Sequence, residues 1–152
     1  MKTQYKKSNP YTDKEDRIIY ILHAPHSNNF FIWHCKKGQW KASYKRHLAG
    51  QRKPTADFVK KCAATGQQPC FHVLEEVHIT RAMAYKHVIA WTQILELKGY
   101  DTLAGVKTLF YMSEMFDYTE SVFNQHKTSD LNQLLSCDTC LIKSCPNHQL
   151  ST

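Results

Sequence analysis

Two apolar stretches decide the fold of this chain: Arg17-Ile-Ile-Tyr-Ile-Leu-His23 and Phe30-Phe-Ile-Trp-His-Cys35. Both are rich in β-branched and aromatic residues, and both have the length of a strand buried in a sheet. The segment between them, residues 24–29, contains Pro, Ser and Asn, which favour a turn. The two stretches therefore predict a β-hairpin.

Two short helices are predicted after the hairpin. Residues 41–48 can form the first helix, and Gly50 is well placed to end it. Thr55, which follows a proline, is the predicted N-cap of a second helix that ends before Gly66. Both segments are rich in lysine and arginine, so charge as well as periodicity distinguishes this part of the chain.

A third strand and a long helix complete the predicted domain. The strand covers residues 70–77, and Thr80 can cap a helix that continues to Lys98 and closes at Gly99. Four apolar residues of this helix recur at the spacing of one buried face: Ala84, Val88, Trp91 and Leu95. The helix is therefore expected to pack this face on the sheet.

The order of these elements predicts an α/β (α+β) fold with a small mixed three-stranded sheet flanked by helices. We expect four segments along the chain: a polar leader at 1–16, the domain at 17–103, a C-terminal helical extension at 104–128 and a Cys/His tail at 129–152. The extension carries an apolar stripe over residues 106–126, which is typical of a helix packed on a core.

Length and composition exclude several classes of protein. The 152 residues suffice for one domain and a short appendage, and 42% hydrophobic residues with five glycines and five prolines exclude collagen-like and linker-rich chains. No apolar run approaches the roughly 18 residues of a membrane span, and residues 1–10 lack the apolar stretch of a secretory signal. We expect a cytoplasmic protein without membrane contacts.

The positive charge is concentrated in one segment. The chain has 20 basic and 13 acidic residues, which gives a net charge of +7. Between His34 and Cys62 nine basic residues stand against one acid, Asp57, so this segment carries +8, while the remaining 11 basic and 12 acidic residues carry −1. A localised basic patch indicates a polyanionic partner, and nucleic acid is the main candidate. The alternative is the solvated outer face of two surface helices.

Aromatic residues are interleaved with these cations, which favours nucleic-acid binding. Aromatic faces stack on bases, and lysine and arginine contact phosphates. The candidate contact residues are Trp33, Lys41, Tyr44, Lys45, Arg46, Arg52 and Lys53. Trp40 and Tyr44 are four residues apart, so they can also share one helical face and belong partly to the core.

The hairpin followed by a basic helix resembles the GIY-YIG nuclease domain over residues 16–103. Ile18-Ile-Tyr20 is similar to the first-strand tripeptide of that family, and Phe31-Ile-Trp33 stands at the second, with Phe and Trp in place of its Tyr and Gly. Tyr44-Lys-Arg-His-Leu48 is similar to the segment that carries the family's functional arginine. The resemblance implies a DNA endonuclease fold that works with Mg²⁺ or Mn²⁺.

Three catalytic candidates follow from the resemblance and from the histidine beside the arginine: Tyr20, Arg46 and His47. Tyr20 would contact the nucleophile, and Arg46 would hold the phosphate. His47 can act as an acid or a base near neutral pH. Cleavage of a phosphodiester also usually needs a metal that a carboxylate holds.

The sequence departs from the family at the position of this metal-binding carboxylate. Lys86 stands there, or His87 if the register differs by one, and a lysine is a donor that cannot bind a metal. Glu75 and Glu76, at the end of the third strand, are candidate substitute carboxylates, but solvation of the strand end is the favoured interpretation. Seven histidines lie in or near this region, each with a surface or core position as the alternative to a catalytic or ligand role: His23, His26, His34, His47, His72, His78 and His87.

The tail carries a compact group of metal-ligand residues. Cys137-Asp-Thr-Cys140 and Cys145-Pro-Asn-His148 form the pattern C-x2-C-x4-C-x2-H. Two closely spaced ligand pairs suit tetrahedral Zn²⁺, so Cys137, Cys140, Cys145 and His148 are predicted to form a small structural zinc knuckle. A redox C-x-x-C motif, an exposed thiol cluster, and ligands shared with a partner chain are the alternatives.

The sequence therefore predicts a nucleic-acid-binding protein, with DNA as the expected partner, on a diverged GIY-YIG-like scaffold. Metal-dependent cleavage stays open at this stage. The alternative function is a protein-interaction or regulatory module that keeps the scaffold and has lost the chemistry. Salt dependence separates these functions, because binding to phosphates releases counterions.

Overall fold

The computed structural model of the protein describes residues 9–24, 27–103 and 140–142. Its elements are β1 (Glu15–His23), β2 (Asn29–Lys36), α1 (Trp40–Leu48), α2 (Lys53–Ala64), β3 (Cys70–Ile79), α3 (Arg81–Leu97) and β4 (Asp101–Thr102). The predicted α+β class is confirmed, whereas the helix predicted over 106–126 lies outside the described residues. Within these ranges no helix has the length and apolarity needed to cross a membrane.

The sheet has four strands, in the order β3-β1-β2-β4. β1 pairs antiparallel with β2 and β3, and β4 pairs parallel with β2. The prediction of three strands is therefore wrong by one, because β4 has two residues and no hydrophobic pattern of its own. Backbone contacts hold it in place: Asp101 N–H donates to the Asn28 carbonyl at 2.9 Å, and Leu103 N–H donates to the Phe30 carbonyl at 2.7 Å.

Charged residues extend two strands beyond their predicted ends. β1 begins at Glu15, inside the predicted leader, and β3 continues to Ile79. Glu15 pairs with Lys36 at 3.5 Å, and Asp16 pairs with His78 at 2.9 Å. These cross-strand pairs place polar side chains in the sheet, where the apolar pattern alone does not predict a strand.

α2 begins at Lys53, and Thr55 is not its N-cap. Pro54 lies in the first turn, where its fixed φ and missing N–H are tolerated. Thr55 lies inside the helix with no exposed surface, and its hydroxyl contacts His47 Nδ1 at 2.8 Å. The hydroxyl is therefore used to join α2 to α1 instead of capping a helix end.

The predicted signals of α3 are confirmed. The Thr80 hydroxyl accepts from Met83 N–H at 3.2 Å, as an N-cap does. The four stripe residues are each at most 4% exposed: Ala84, Val88, Trp91 and Leu95. The glycines predicted to end the three helices, Gly50, Gly66 and Gly99, have φ of 70°, 73° and 94°, a conformation that favours glycine.

The helices cover opposite faces of the sheet. Ile19 and Ile21 of β1 pack in one apolar cluster with α3, whereas Ile18, Tyr20 and Leu22 pack in another with α1. β1 is therefore buried on both faces, as its continuous apolar sequence predicts. Side chains on the two faces consequently belong to two separate environments.

A β-bulge in β3 interrupts the alternation of its side chains. Ile19 pairs with Glu75 and Tyr20 pairs with Val73, so Leu74 has no counterpart on β1. A bulge sets two residues of one strand against one residue of its neighbour. As a result, Leu74 packs in the α3 cluster and Glu75 also contacts α3 side chains.

Candidate functional site

Two predicted catalytic residues, Tyr20 and His47, meet in the core between β1 and α1. The Tyr20 hydroxyl lies 2.9 Å from His47 Nε2, and His47 Nδ1 lies 2.8 Å from Thr55 Oγ1. Thr55 donates to the Arg52 carbonyl at 3.4 Å, so its oxygen accepts from His47 Nδ1–H. The remaining ring nitrogen, Nε2, then accepts from Tyr20. The hydrogen bonds therefore run in one direction from β1 to α2.

Burial keeps the side chains of this pair neutral. It lowers the pKa of His47 to about 4, and the charge of Arg52 acts in the same direction. Burial also raises the pKa of Tyr20 above its usual value, an effect that Arg52 opposes. Both residues have no exposed surface. Tyr20 and His47 thus join the sheet to α1 and α2, and they would reach a substrate only if α1 moved.

The third catalytic candidate, Arg46, lies on the exposed side of α1. Arg52 is half-buried where α1 connects to α2, and its charge acts on the pKa values of Tyr20, His47 and His34. The structure therefore brings Arg52 to the Tyr20–His47 pair. The resemblance matches Arg46 because it compares residues along the sequence. It carries no information on which arginine the fold brings to this pair.

Trp33 of β2 is half-buried, and it packs against both apolar clusters, the one with α3 and the one with α1. Its ring stacks on the ring of His34, with centroids 5.1 Å apart, and meets Tyr85 of α3 edge to face at 5.9 Å. Three aromatic groups from β2 and α3 are thus gathered at one position. A half-buried tryptophan in such a group keeps one part of its ring available to a ligand.

Arginines surround His34 beside this aromatic group. Arg17 Nη1 donates to His34 Nδ1 at 3.0 Å, and Arg17 Nη2 donates to Glu15 at 3.2 Å. Burial, together with the charges of Arg17, Arg52 and Arg81, lowers the pKa of His34 to about 4. Neutral His34 accepts from Arg17 and therefore carries its proton on Nε2. Three arginine charges therefore act on this end of the sheet, and Glu15 offsets the charge of Arg17.

The lysines and arginines of the basic segment lie on the outer surface of α1 and α2 and of the turn before α1, which we call the basic face. Its exposed members are Lys36, Lys37, Lys41, Lys45, Arg46, Lys53, Lys60 and Lys61. Asp57 is the acid exposed among them. The apolar side chains of α2, including Phe58 and Val59, are buried beneath. Two members are neutralised by pairing: Lys36 with Glu15 and Lys37 with Glu76.

The aromatic residues of α1 belong mainly to the core. Tyr44 is 6% exposed, and its hydroxyl donates to the Pro69 carbonyl at 2.8 Å. Trp40 is half-buried, and both rings contact Phe71 of β3. Lys41 Nζ lies 5.7 Å from the centre of the Trp40 ring. Of the predicted aromatic contact residues, Trp33 is therefore better placed than Tyr44 to meet a ligand.

Glu75 is buried under α3, and the prediction of a solvated strand end is wrong for it. His87 Nδ1 lies 3.0 Å from Glu75 Oε1, and Trp91 Nε1–H donates to the same oxygen. Glu76, on the opposite face, is exposed and pairs with Lys37 at 3.3 Å. The bulge explains the difference, because it turns Glu75 towards α3. A metal at Oε1 of Glu75 would have to displace these two side chains.

The ligand atoms of His23, Cys70 and His72 lie within 4.8 Å of one another. His23 pairs with Cys70 across β1 and β3, and His72 stands two residues farther along β3. The spacing of these three residues in the sequence does not indicate a metal site, because only the strand register brings them together. Cys137, Cys145 and His148 of the predicted zinc knuckle lie outside the described residues, so the knuckle stays a prediction.

Comparisons with family models, with curated proteins and with solved structures find no match to this chain. The resemblance to the GIY-YIG domain therefore stays a prediction.

Proposed function

We propose that this chain is a nucleic-acid-binding protein and that the basic face contacts the phosphate backbone. The proposal is carried by one observation: eight of the nine basic residues in this segment are exposed, and two of them, Lys36 and Lys37, pair with acids of β1 and β3, while Asp57 is the one acid within the segment. Electrostatic attraction to phosphates supplies most of the affinity of non-specific nucleic-acid binding. DNA is the expected partner.

Trp33 and the arginines near it extend this surface in the proposal. Arg52 belongs to both parts of this proposed surface. It stands between α1 and α2, and its charge helps to lower the pKa of His34, whose ring stacks on Trp33. A base stacked on Trp33 would lie beside cationic side chains, an arrangement that stabilises single-stranded segments. Trp33 is therefore the proposed aromatic contact, and Arg52, Arg46 and Lys45 are proposed phosphate contacts.

Binding without cleavage fits the geometry better than metal-dependent hydrolysis. Tyr20 has no exposed surface and its hydroxyl is donated to His47. Lys86, at the position expected for the metal-binding carboxylate, is exposed and offers no ligand atom, and Glu75 is engaged by α3. We therefore propose a diverged GIY-YIG-like scaffold that binds nucleic acid and does not cut it.

An electrophoretic experiment tests both parts of this proposal. Labelled single-stranded, duplex and branched DNA, and a matched RNA, are incubated with the protein in Mg²⁺, Mn²⁺ or EDTA, and shift and cleavage are scored together. A metal-independent shift with intact DNA is the expected result. Metal-dependent cutting would contradict the binding-only proposal, and a lack of any shift would favour the protein-interaction module.

A further inference from the structure

We propose that His23, Cys70, His72 and Cys140 hold one zinc ion, which fastens the C-terminal tail to the sheet. His23 is the last residue of β1, and Cys70 is the first residue of β3. The antiparallel register sets these two residues opposite each other, and His72 lies on the same face because side chains alternate along a strand. The proposal does not rest on nucleic-acid binding.

The spacing of the three strand residues suits a tetrahedral metal. Their ligand atoms lie within 4.8 Å of one another, and the two histidine rings stack with centroids 4.8 Å apart. Zinc–nitrogen distances of about 2.0–2.1 Å and zinc–sulfur distances of about 2.3 Å place tetrahedral ligand atoms roughly 3.3–3.8 Å apart. The three atoms would therefore have to approach one another by at most about 1.5 Å to reach ligand distance.

Cys140 approaches this group from the tail. Leu141 N–H donates to the Phe71 carbonyl at 2.9 Å, which places the tail segment along the outer edge of β3. Cys140 packs against Cys70, and the two residues are 7% and 1% exposed. The tail is thus already beside the strand that provides two of the ligands.

Charge favours the inclusion of the second thiolate. His72 is 1% exposed and His23 is 9% exposed, so the proposed ion lies in a nearly dry environment. An uncompensated charge is costly in such a place. Two histidines and one thiolate would leave Zn²⁺ with a net positive charge, whereas the thiolates of Cys70 and Cys140 neutralise it.

This site and the predicted tail knuckle both require Cys140, so the two are mutually exclusive. Zinc content of the purified full chain, measured by mass spectrometry after dialysis, distinguishes them. Wild type should hold one zinc ion, and Cys70→Ser, His72→Asn and Cys140→Ser should each lose it. Cys35→Ser, a buried cysteine packed with α1, and Cys137→Ser, a tail cysteine outside the proposed set, should keep it.

Titration with Co²⁺ gives a second readout, because thiolate-to-cobalt absorption should weaken in Cys70→Ser and Cys140→Ser. Zinc retained by either variant, or lost from Cys137→Ser, would overturn the four-ligand assignment. Wild type that binds neither metal would also overturn it. Buried variants can fail to fold, so one measurement uses wild type alone: Zn²⁺ added to the metal-free protein should shift the ring resonances of His23 and His72. Unchanged resonances would overturn the proposal.

Discussion

His47 sets the direction of a buried hydrogen-bond chain that links three elements of the fold. It accepts from Tyr20 of β1 and donates to Thr55 of α2, so each end of the imidazole satisfies a buried partner. A buried donor or acceptor left without a partner costs about 1–3 kcal/mol. This hydrogen-bond chain therefore stabilises the fold, independently of any catalytic activity.

Tyr20→Phe should lower the free energy of unfolding by about 1–3 kcal/mol, because His47 Nε2 loses its donor in a buried place. Urea denaturation followed by circular dichroism measures the change. Tyr11→Phe is the matched control, since Tyr11 is 78% exposed and its loss should change stability by less than about 0.5 kcal/mol. Equal effects of the two substitutions would contradict the proposed role.

His47 also predicts how stability depends on pH. Its pKa in the folded protein is about 4, below the usual value of 6.5, so the unfolded chain binds more protons between these values. The contribution of neutral His47 to the free energy of unfolding is therefore fully present above pH 6.5 and is lost as pH falls towards 4 and below. The total loss is about 3 kcal/mol.

Urea midpoints measured between pH 7 and pH 4 test this dependence. His47→Gln should make the slope shallower without abolishing it, because the lowered pKa of His34 acts in the same direction. Gln51→Ala is the control: Gln51 is exposed and does not ionise, so its variant should keep the wild-type slope. An unchanged slope in His47→Gln would refute the assignment to His47.

Glu75 and Glu76 are neighbours with opposite environments, and they form a natural pair for comparison. Glu75→Gln should cost about 1–3 kcal/mol, because the one oxygen that Trp91 and His87 contact changes from a carboxylate oxygen to a neutral amide oxygen, which is a weaker acceptor. Glu76→Gln should change stability by no more than about 1 kcal/mol, since its pair with Lys37 is exposed. Thermal denaturation of both variants measures the two losses of stability. Similar losses would contradict the role of the bulge in turning Glu75 towards α3.

At the scale of elements, α1 is divided between the core and the basic face. Tyr44 and His47 point inwards, while Lys45 and Arg46 are exposed between them. The 3.6-residue period of a helix produces this division directly from the sequence. Exposed cations can consequently be changed without disturbing the packing of α1 on the sheet.

The double variant Lys45→Ala/Arg46→Ala should bind duplex DNA about ten-fold more weakly, with similar losses for different sequences. Fluorescence anisotropy measures the affinity, and circular dichroism should show an unchanged fold. Lys86→Ala/Lys98→Ala removes the same charge from exposed positions of α3 and its C-terminus and should have a much smaller effect. Equal losses in the two double variants would mean that total charge, not the basic face, determines binding.

Elements with a strong local pattern were predictable from the sequence, and contacts set by register were not. The hairpin and the α3 stripe follow from hydrophobic spacing and from caps such as Thr80. β4 and the bulge at Leu74 depend on partners far along the chain, so no local signal marks them. For the same reason, the sequence marks Tyr20 and His47 separately as candidates and does not predict their contact.

At the scale of the molecule, the sheet separates two kinds of surface. The α1–α2 side carries the basic face, whereas Glu75, His87 and the apolar cluster lie under α3 on the other side. The sequence already showed that one segment holds the whole excess of positive charge. The fold turns this linear segment into one outer layer, which is the arrangement expected for contact with a polyanion.

The salt dependence of DNA binding tests the central proposal most directly. The association constant of wild type with a fluorescent duplex is measured by anisotropy over a series of salt concentrations. If the basic face contacts about five phosphates, the logarithm of this constant should fall with the logarithm of salt concentration at a slope of about −4.5. A slope near zero, or no binding at low salt, would contradict nucleic-acid binding by the basic face.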